Sequence, residues 1–258
     1  MTFSADAKHT VMGLLCTIFI ITAPACAQTA ATDADALFRQ ANSEYQQGNY
    51  AQAAAVYQSL LKERENGYLY YNLGNCYLKM NEFGPAILNY RHAQKFLPRF
   101  PDLKMNLEYA YRETKDNIED KGYSSLFTTI FFWYQYLSLK EMLIAFLVLN
   151  FLLFSLAVFR LYFSPDLLKW LLIIFGVTYL LCAGSAGFKW YQEKSIREGI
   201  VFDNEIAVRS GNNAGNVLLF KLHAGTGFQI EEIKGDWLKI SLTDGKIGWV
   251  EKAGVGII

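Results

Sequence analysis

The sequence predicts a multidomain membrane protein with all-α helical repeats in its first half, a two-helix transmembrane hairpin, and a small all-β barrel at its C-terminal end. Three observations carry this prediction. Two charge-free apolar runs, Met142–Phe159 and Trp170–Phe188, stand close together in the second half of the chain. Residues 34–98 repeat themselves at a spacing of 33, with helical periodicity on both sides of a break. Beyond residue 200 the apolar period shortens to two, with glycine-containing turns between short runs.

Residues 1–27 have the layout of an export signal. Lys8 and His9 precede an apolar run from Val11 to Ile21, and Ala25-Cys26-Ala27 meets the small-residue rule for cleavage before Gln28. Two alternatives stay open, retention as an uncleaved anchor and lipidation at Cys26, although Ala23-Pro24-Ala25 lacks the large aliphatic residue usual before a lipidated cysteine. Cleavage would leave Cys76 and Cys182, one in a soluble helix and one in an apolar run. That placement suits neither a disulfide nor a metal site.

The repeat domain is expected over residues 33–120. Leu37 answers Tyr70, Ala41 answers Gly74, Gly48 answers Asn81, Tyr50 answers Phe83, Ala53 answers Ala86, and Tyr57 answers Tyr90. Each unit reads as helix, turn, helix. The small residues fall where two helices must cross closely, and the tyrosines fill the wider gaps. The stretch Tyr71-Asn72-Leu73-Gly74-Asn75-Cys76-Tyr77, with Pro85-Ala86-Ile87 and the closing Leu97-Pro98, closely resembles a tetratricopeptide (TPR) repeat; the first unit resembles it more loosely. Met105-Asn106-Leu107 through Tyr111 echoes Tyr71 through Tyr77, but the next segment, Lys115–Gly122, is polar. A lone first helix therefore caps the stack.

The TPR resemblance implies a groove lined by the first helix of each unit, faced by Arg39, Asn42, Tyr71, Asn72, Asn75, Asn106 and Tyr109. Asparagine carries both a donor and an acceptor, so a row of them can hold a peptide backbone in one register. The alternative is that these asparagines bridge neighbouring helices. Positions that hold lysines in the carboxylate-gripping version of the groove are Phe38 and Tyr71 here, so capture of a chain terminus is not implied.

Residues 123–139 are rich in aromatics, from Phe127 to Tyr136, and are expected to lie in the membrane interface; the alternative is a linker packed on the repeats. Spans follow at residues 142–163 and 168–188. Each apolar run is long enough to cross about 30 Å of hydrocarbon as a helix. Trp170, Trp190 and Tyr191 sit where interfacial aromatics belong. Neither run contains an acidic residue, which argues against a proton pathway. Asn150, Ser155 and the small residues Ala183–Gly187 suit packing of the hairpin on itself or docking of another helix.

Two spans return the chain to the side it started from. The export signal places both soluble parts in the periplasm of an inner-membrane protein. The basic residues, Arg160 and Lys169 in the hairpin against Lys140, Lys189, Lys194 and Arg197 outside it, favour the opposite orientation when counted alone. The signal takes precedence, because translocation of the first domain commits the rest.

Between residues 200 and 258, Ile206 and Val208 alternate, as do Phe228 and Ile230, then Leu238, Ile240 and Leu242, with Asp244-Gly245 as a hairpin turn. Val208-Arg209-Ser210-Gly211, Leu222-His223-Ala224-Gly225-Thr226, Gly235-Asp236-Trp237-Leu238-Lys239-Ile240 and Gly248-Trp249-Val250 together resemble the bacterial SH3 domain, an SH3-like barrel. Trp237 and Trp249 could stack on a ligand or form barrel wall. The acidic and aromatic tract with which eukaryotic SH3 domains bind proline-rich helices is missing.

No catalytic constellation is visible. His9, His92 and His223 share no motif, and no phosphate loop, triad or metal pair occurs, so no enzyme activity, cofactor or metal is expected. With 24 basic and 24 acidic residues the formal charge is zero, so nothing in the overall balance points to nucleic acid. What remains is binding of protein or peptide partners. The order of parts is similar to that of BatE-like members of the Bat group, named for aerotolerance in Bacteroides. That resemblance implies a non-enzymatic scaffold or adaptor acting in stress protection with other Bat proteins, which carry von Willebrand A domains, and with a MoxR-type ATPase. The alternative reading is a peptidoglycan-binding accessory subunit of a cell-wall enzyme.

Overall fold

Five helices stack at the spacing set by the repeat: α1 (Gln28–Gln46), α2 (Tyr50–Glu63), α3 (Gly67–Lys79), α4 (Phe83–Phe96) and α5 (Pro101–Arg112). The computed structural model describes residues 28–116, 132–163, 166–195 and 197–258; the expected signal at 1–27, the first part of the aromatic stretch, and Ser164 with Pro165 at the hairpin turn lie outside these. Gly48 and Asn81, one repeat apart, both take positive φ, +83° and +60°. They end α1 and α3 in the left-handed conformation that glycine and asparagine tolerate best.

The alternation of small and large residues decides how closely the helices approach. Ala41, Ala53 and Tyr57 are buried with Leu73 and Cys76; Ala86 and Tyr90 are buried with Leu103, Leu107 and Ala110. A Cβ on Gly74 would lie 2.6 Å from the Tyr90 ring, so the tyrosine occupies the space the glycine leaves. Cys76 is wholly enclosed, and burial pushes its thiol up to about 12. It is a packing residue with no thiolate at neutral pH.

Next come α6 (Phe132–Tyr136), α7 (Leu139–Tyr162) and α8 (Asp166–Ser195). Ser138 starts α7 with a reciprocal capping box to Glu141. The second apolar helix is longer than the expected span 168–188, because its turns continue through Lys189 and Tyr191 to Ser195. Helices α7 and α8 run against each other and against little else: 6% of each apolar window is buried. Their outer faces present Leu147, Phe151, Phe154, Ile174 and Leu180.

The described end of the aromatic stretch packs on the base of this hairpin. Tyr134 is buried with Met142 and Ala186, and Trp133 Nε1 donates to Ser185 Oγ at 3.2 Å. The Lys189 ammonium donates to the carbonyls of Tyr134 and Leu137, at 3.0 and 2.6 Å. An ion pair between Arg99 and Glu141 ties the α4–α5 turn to the start of α7.

The C-terminal part is one antiparallel sheet of seven strands, β1 (Arg197–Val201), β2 (Glu205–Arg209), β3 (Leu218–His223), β4 (Gly227–Lys234), β5 (Trp237–Ser241), β6 (Ile247–Glu251) and β7 (Val255–Ile257), in the order β3-β2-β6-β5-β4-β1-β7. Its core joins Val201, Val208, Leu222, Phe228, Leu238, Ile240 and Val250. Gly245, at φ +90°, turns the chain between β5 and β6, where Lys246 N–H bonds the Asp244 carboxylate. The sheet starts at Arg197, three residues before the expected boundary.

Strands β1 and β7 lie directly on α4. Ile200 belongs to the same buried cluster as Ala86, Ile87 and Leu88. A Cβ on Gly84 would come 2.4 Å from the carbonyl oxygen of Val201, and one on Gly256 would come 2.7 Å from Leu88. The repeats and the sheet therefore share one continuous apolar contact, closed at its rim by Arg91 and Glu198 at 2.7 Å.

Candidate binding surfaces

The predicted groove residues divide into two kinds. Tyr57 donates its hydroxyl to Asn42 Oδ1 at 2.7 Å, and one repeat later Tyr90 donates to Asn75 Oδ1 at the same distance. Asn106 Nδ2 donates to Asn75 Oδ1 at 2.9 Å and to the Tyr71 hydroxyl at 3.3 Å. The Asn72 side chain faces the Tyr57 hydroxyl, whose pKa burial pushes up to about 12. Asn42 and Asn75 thus hold the first helix of their unit to the tyrosine of the second, Asn72 faces the tyrosine of the preceding unit, and Asn106 joins α5 to α3. The Nδ2 groups of Asn42 and Asn75 keep no partner among the described residues. Arg39 and Tyr109 are exposed, as are Met105, one turn before Tyr109 on α5, and Tyr68, which meets Phe100 edge-on at 5.8 Å; Met105 and Tyr68 are both more than half exposed. The sequence reading missed those two because exposure of an apolar side chain on the first helix leaves no mark in the repeat period.

On the sheet, Trp237 and Trp249 alternate with the buried Leu238, Ile240 and Val250, so both sit on the outer face. Trp237 stands opposite Glu251 and Trp249 opposite Lys239, so the two indoles are diagonal neighbours across β5 and β6. Trp237 borders a cleft of about 690 Å³ with Asn212, Asn213, Asp236, Glu251 and Lys252. Trp249 lies outside it, with the Lys234 ammonium 5.4 Å above its ring.

The polar cluster that the sequence did not reveal joins the end of the repeats to the sheet. Asp116 accepts from the backbone N–H of His223 at 2.8 Å and from Thr226 Oγ1 at 2.7 Å, while His223 Nδ1 lies 2.8 Å from its other oxygen. The far ring nitrogen of His223 stands 3.7 Å from Glu205 Oε2. Burial raises the Asp116 carboxyl, but the bonds from Thr226 and His223 outweigh it and hold the group below its ordinary value. His92, the other histidine of the soluble parts, stacks on Tyr70 at 4.8 Å, and burial lowers its pKa. Among the described residues no group of histidine, cysteine and carboxylate side chains could hold a metal ion.

A tetratricopeptide repeat family model matches residues 35–66, which is the unit of α1 and α2. Among curated proteins, none matches this chain. The N-terminal region is TPR-like. The matched unit is the one that resembles the repeat motif more loosely, and α3 with α4 repeats its Tyr-to-Asn bond at the same spacing. Tetratricopeptide repeats are protein-interaction modules, and an adaptor role follows for this region.

Proposed function

We propose that the chain is a non-enzymatic, membrane-anchored adaptor that displays TPR-like repeats and an SH3-like barrel as one unit on one side of a membrane. One observation carries this reading: the repeats and the sheet, which flank the apolar hairpin in sequence, pack on each other through α4, β1 and β7. Only an even number of crossings lets two flanking parts meet. Two helices long and apolar enough to cross a membrane supply that number. Their apolar faces are uncovered along nearly their whole length, which supports lipid as the solvent.

The orientation proposed is periplasmic, with the hairpin in the inner membrane and the partners drawn from a Bat-type complex of von Willebrand A proteins and a MoxR-type ATPase. The export-signal layout of residues 1–27 supports this orientation, since translocation of the repeats commits the parts that follow. The test places single cysteines at Glu63, Ser164 and Glu232, with Cys76 and Cys182 replaced by alanine, and labels them with an impermeant thiol reagent in cells with a permeable outer membrane. Labelling at positions 63 and 232 with protection at 164 is expected. Labelling at 164 alone would put both soluble parts in the cytoplasm and end the periplasmic reading.

A second reading draws on the Trp237 cleft. An indole beside two asparagine amides and two carboxylates suits a glycan or glycopeptide, so the protein could act as a peptidoglycan-binding accessory subunit of a cell-wall enzyme. Retention of the detergent-solubilised chain on purified sacculi, lost in Trp237→Ala and kept in Trp249→Ala, is the result this reading expects. Equal loss in both variants would sink it.

A further inference from the structure

Within the apolar hairpin, one polar contact sits in the wrong solvent. Helix α7 has 24 residues beginning at Leu139, so Asn150 is the twelfth and lies at mid-depth. Its neighbours Leu147, Val148, Phe151 and Leu152 are exposed, as lipid requires of apolar side chains. Asn150 is exposed too. Its one hydrogen bond is long: Nδ2 donates to the Tyr179 hydroxyl of α8 at 3.4 Å. Phe146 stacks on Tyr179 at 4.8 Å and keeps the phenol beside it. The Asn150 Oδ1 and second amide hydrogen have no partner among the described residues. At the centre of a bilayer no water replaces the missing bonds, so an uncovered amide there is strongly disfavoured.

We propose that this flank of the hairpin pairs with a second copy of the chain across a two-fold axis, Asn150 against Asn150. The inference rests on the membrane reading above. A primary amide carries donor and acceptor on one planar group, so two amides related by a two-fold axis exchange a pair of N–H···O bonds and satisfy each other with no other side chain. Each keeps its remaining N–H for its own Tyr179. A charged partner would not match: the site is neutral, and neither apolar run carries a charge. The approach is open as well. Gly176 lies one turn before Tyr179, and a Cβ built on it meets nothing within 4 Å. Interhelical bonds of asparagine side chains and close approach at small residues are the two main contributions to helix association in lipid.

The test reconstitutes the full chain in phosphatidylcholine vesicles as mixed donor- and acceptor-labelled populations and follows energy transfer against protein-to-lipid ratio. Self-association is expected. Asn150→Leu, which adds apolar surface where lipid contacts the helix and so leaves insertion intact, should weaken it by about tenfold. In a cysteine-free background Asn150→Cys should cross-link to itself on oxidation, and Val148→Cys, on the opposite side of the helix, should not. A monomeric wild-type chain, or a leucine variant that associates as tightly as wild type, would overturn the pairing. So would cross-linking of position 150 in native membranes only to other proteins. A chain that alkaline carbonate strips from the vesicles would overturn the membrane reading together with the pairing, whereas an embedded monomer overturns the pairing alone.

Discussion

Asp116 is a single carboxylate that links the repeat stack to the turn between β3 and β4, a contact spanning more than a hundred residues of sequence. Its folded pKa lies below the ordinary carboxylate value, so its contribution to stability is present above the unfolded pKa of about 4 and disappears as pH falls through the folded value. Acidification should therefore loosen the joint before it melts the helices. Thermal unfolding of the detergent-solubilised protein between pH 7 and 3 checks this: Asp116→Asn should lose about 1–3 kcal/mol at neutral pH and show a flatter acid limb. An unchanged acid limb in the variant would assign the pH dependence to other groups. The importance of Asp116 was not legible in the sequence. It lies in the polar run that follows the lone capping helix, and its partners are a backbone N–H, a threonine and a histidine with no spacing rule among them.

At the scale of elements, the helical pairs were legible and the first and last strands were not. Ala41, Gly74, Ala53 and Ala86 announce close crossings because a packed interface tolerates little change of volume, and the 33-residue spacing preserves that requirement in both units. Strand β1 gave no such signal. Covered by the sheet on one face and α4 on the other, Ile200 and Val201 lose the alternation that marks a half-exposed strand. The asparagines were singled out by position, but their bonds to Tyr57, Tyr90 and Asn106, which bridge neighbouring helices, could not be read from residue type. Those bonds make a comparison between repeats possible. Among the described residues Asn42 accepts from Tyr57 alone, whereas Asn75 accepts from Tyr90 and Asn106 and so joins α3, α4 and α5. Asn75→Ala should destabilise the protein by about 1 kcal/mol more than Asn42→Ala, one further buried bond being broken. Chemical denaturation of the two variants, followed by far-ultraviolet circular dichroism, measures the difference. Equal losses would mean that Asn106 finds another acceptor.

For the molecule as a whole, the joint between repeats and sheet need not be strong. A short tether through the hairpin raises the effective concentration of one part near the other to about the millimolar range, so a modest apolar contact keeps them together. Which part of that contact matters follows from burial. The Arg91–Glu198 pair has side chains 22% and 39% exposed, a rim position where an ion pair contributes up to about 1 kcal/mol. At Gly84, by contrast, any side chain would run into the Val201 carbonyl and the Phe202 backbone, which cannot step aside without moving β1. With spin labels at Glu63 and Glu232, Arg91→Ala should leave one narrow distance distribution, and Gly84→Val should broaden or split it while the helix content stays unchanged. On the proposed membrane reading the undocked variant should remain in the membrane fraction, which separates loss of the joint from loss of the chain. A single narrow distribution in Gly84→Val would show that the parts stay docked without the close approach at Gly84, and the joint would then have to be assigned to the other contacts of α4 with β1 and β7.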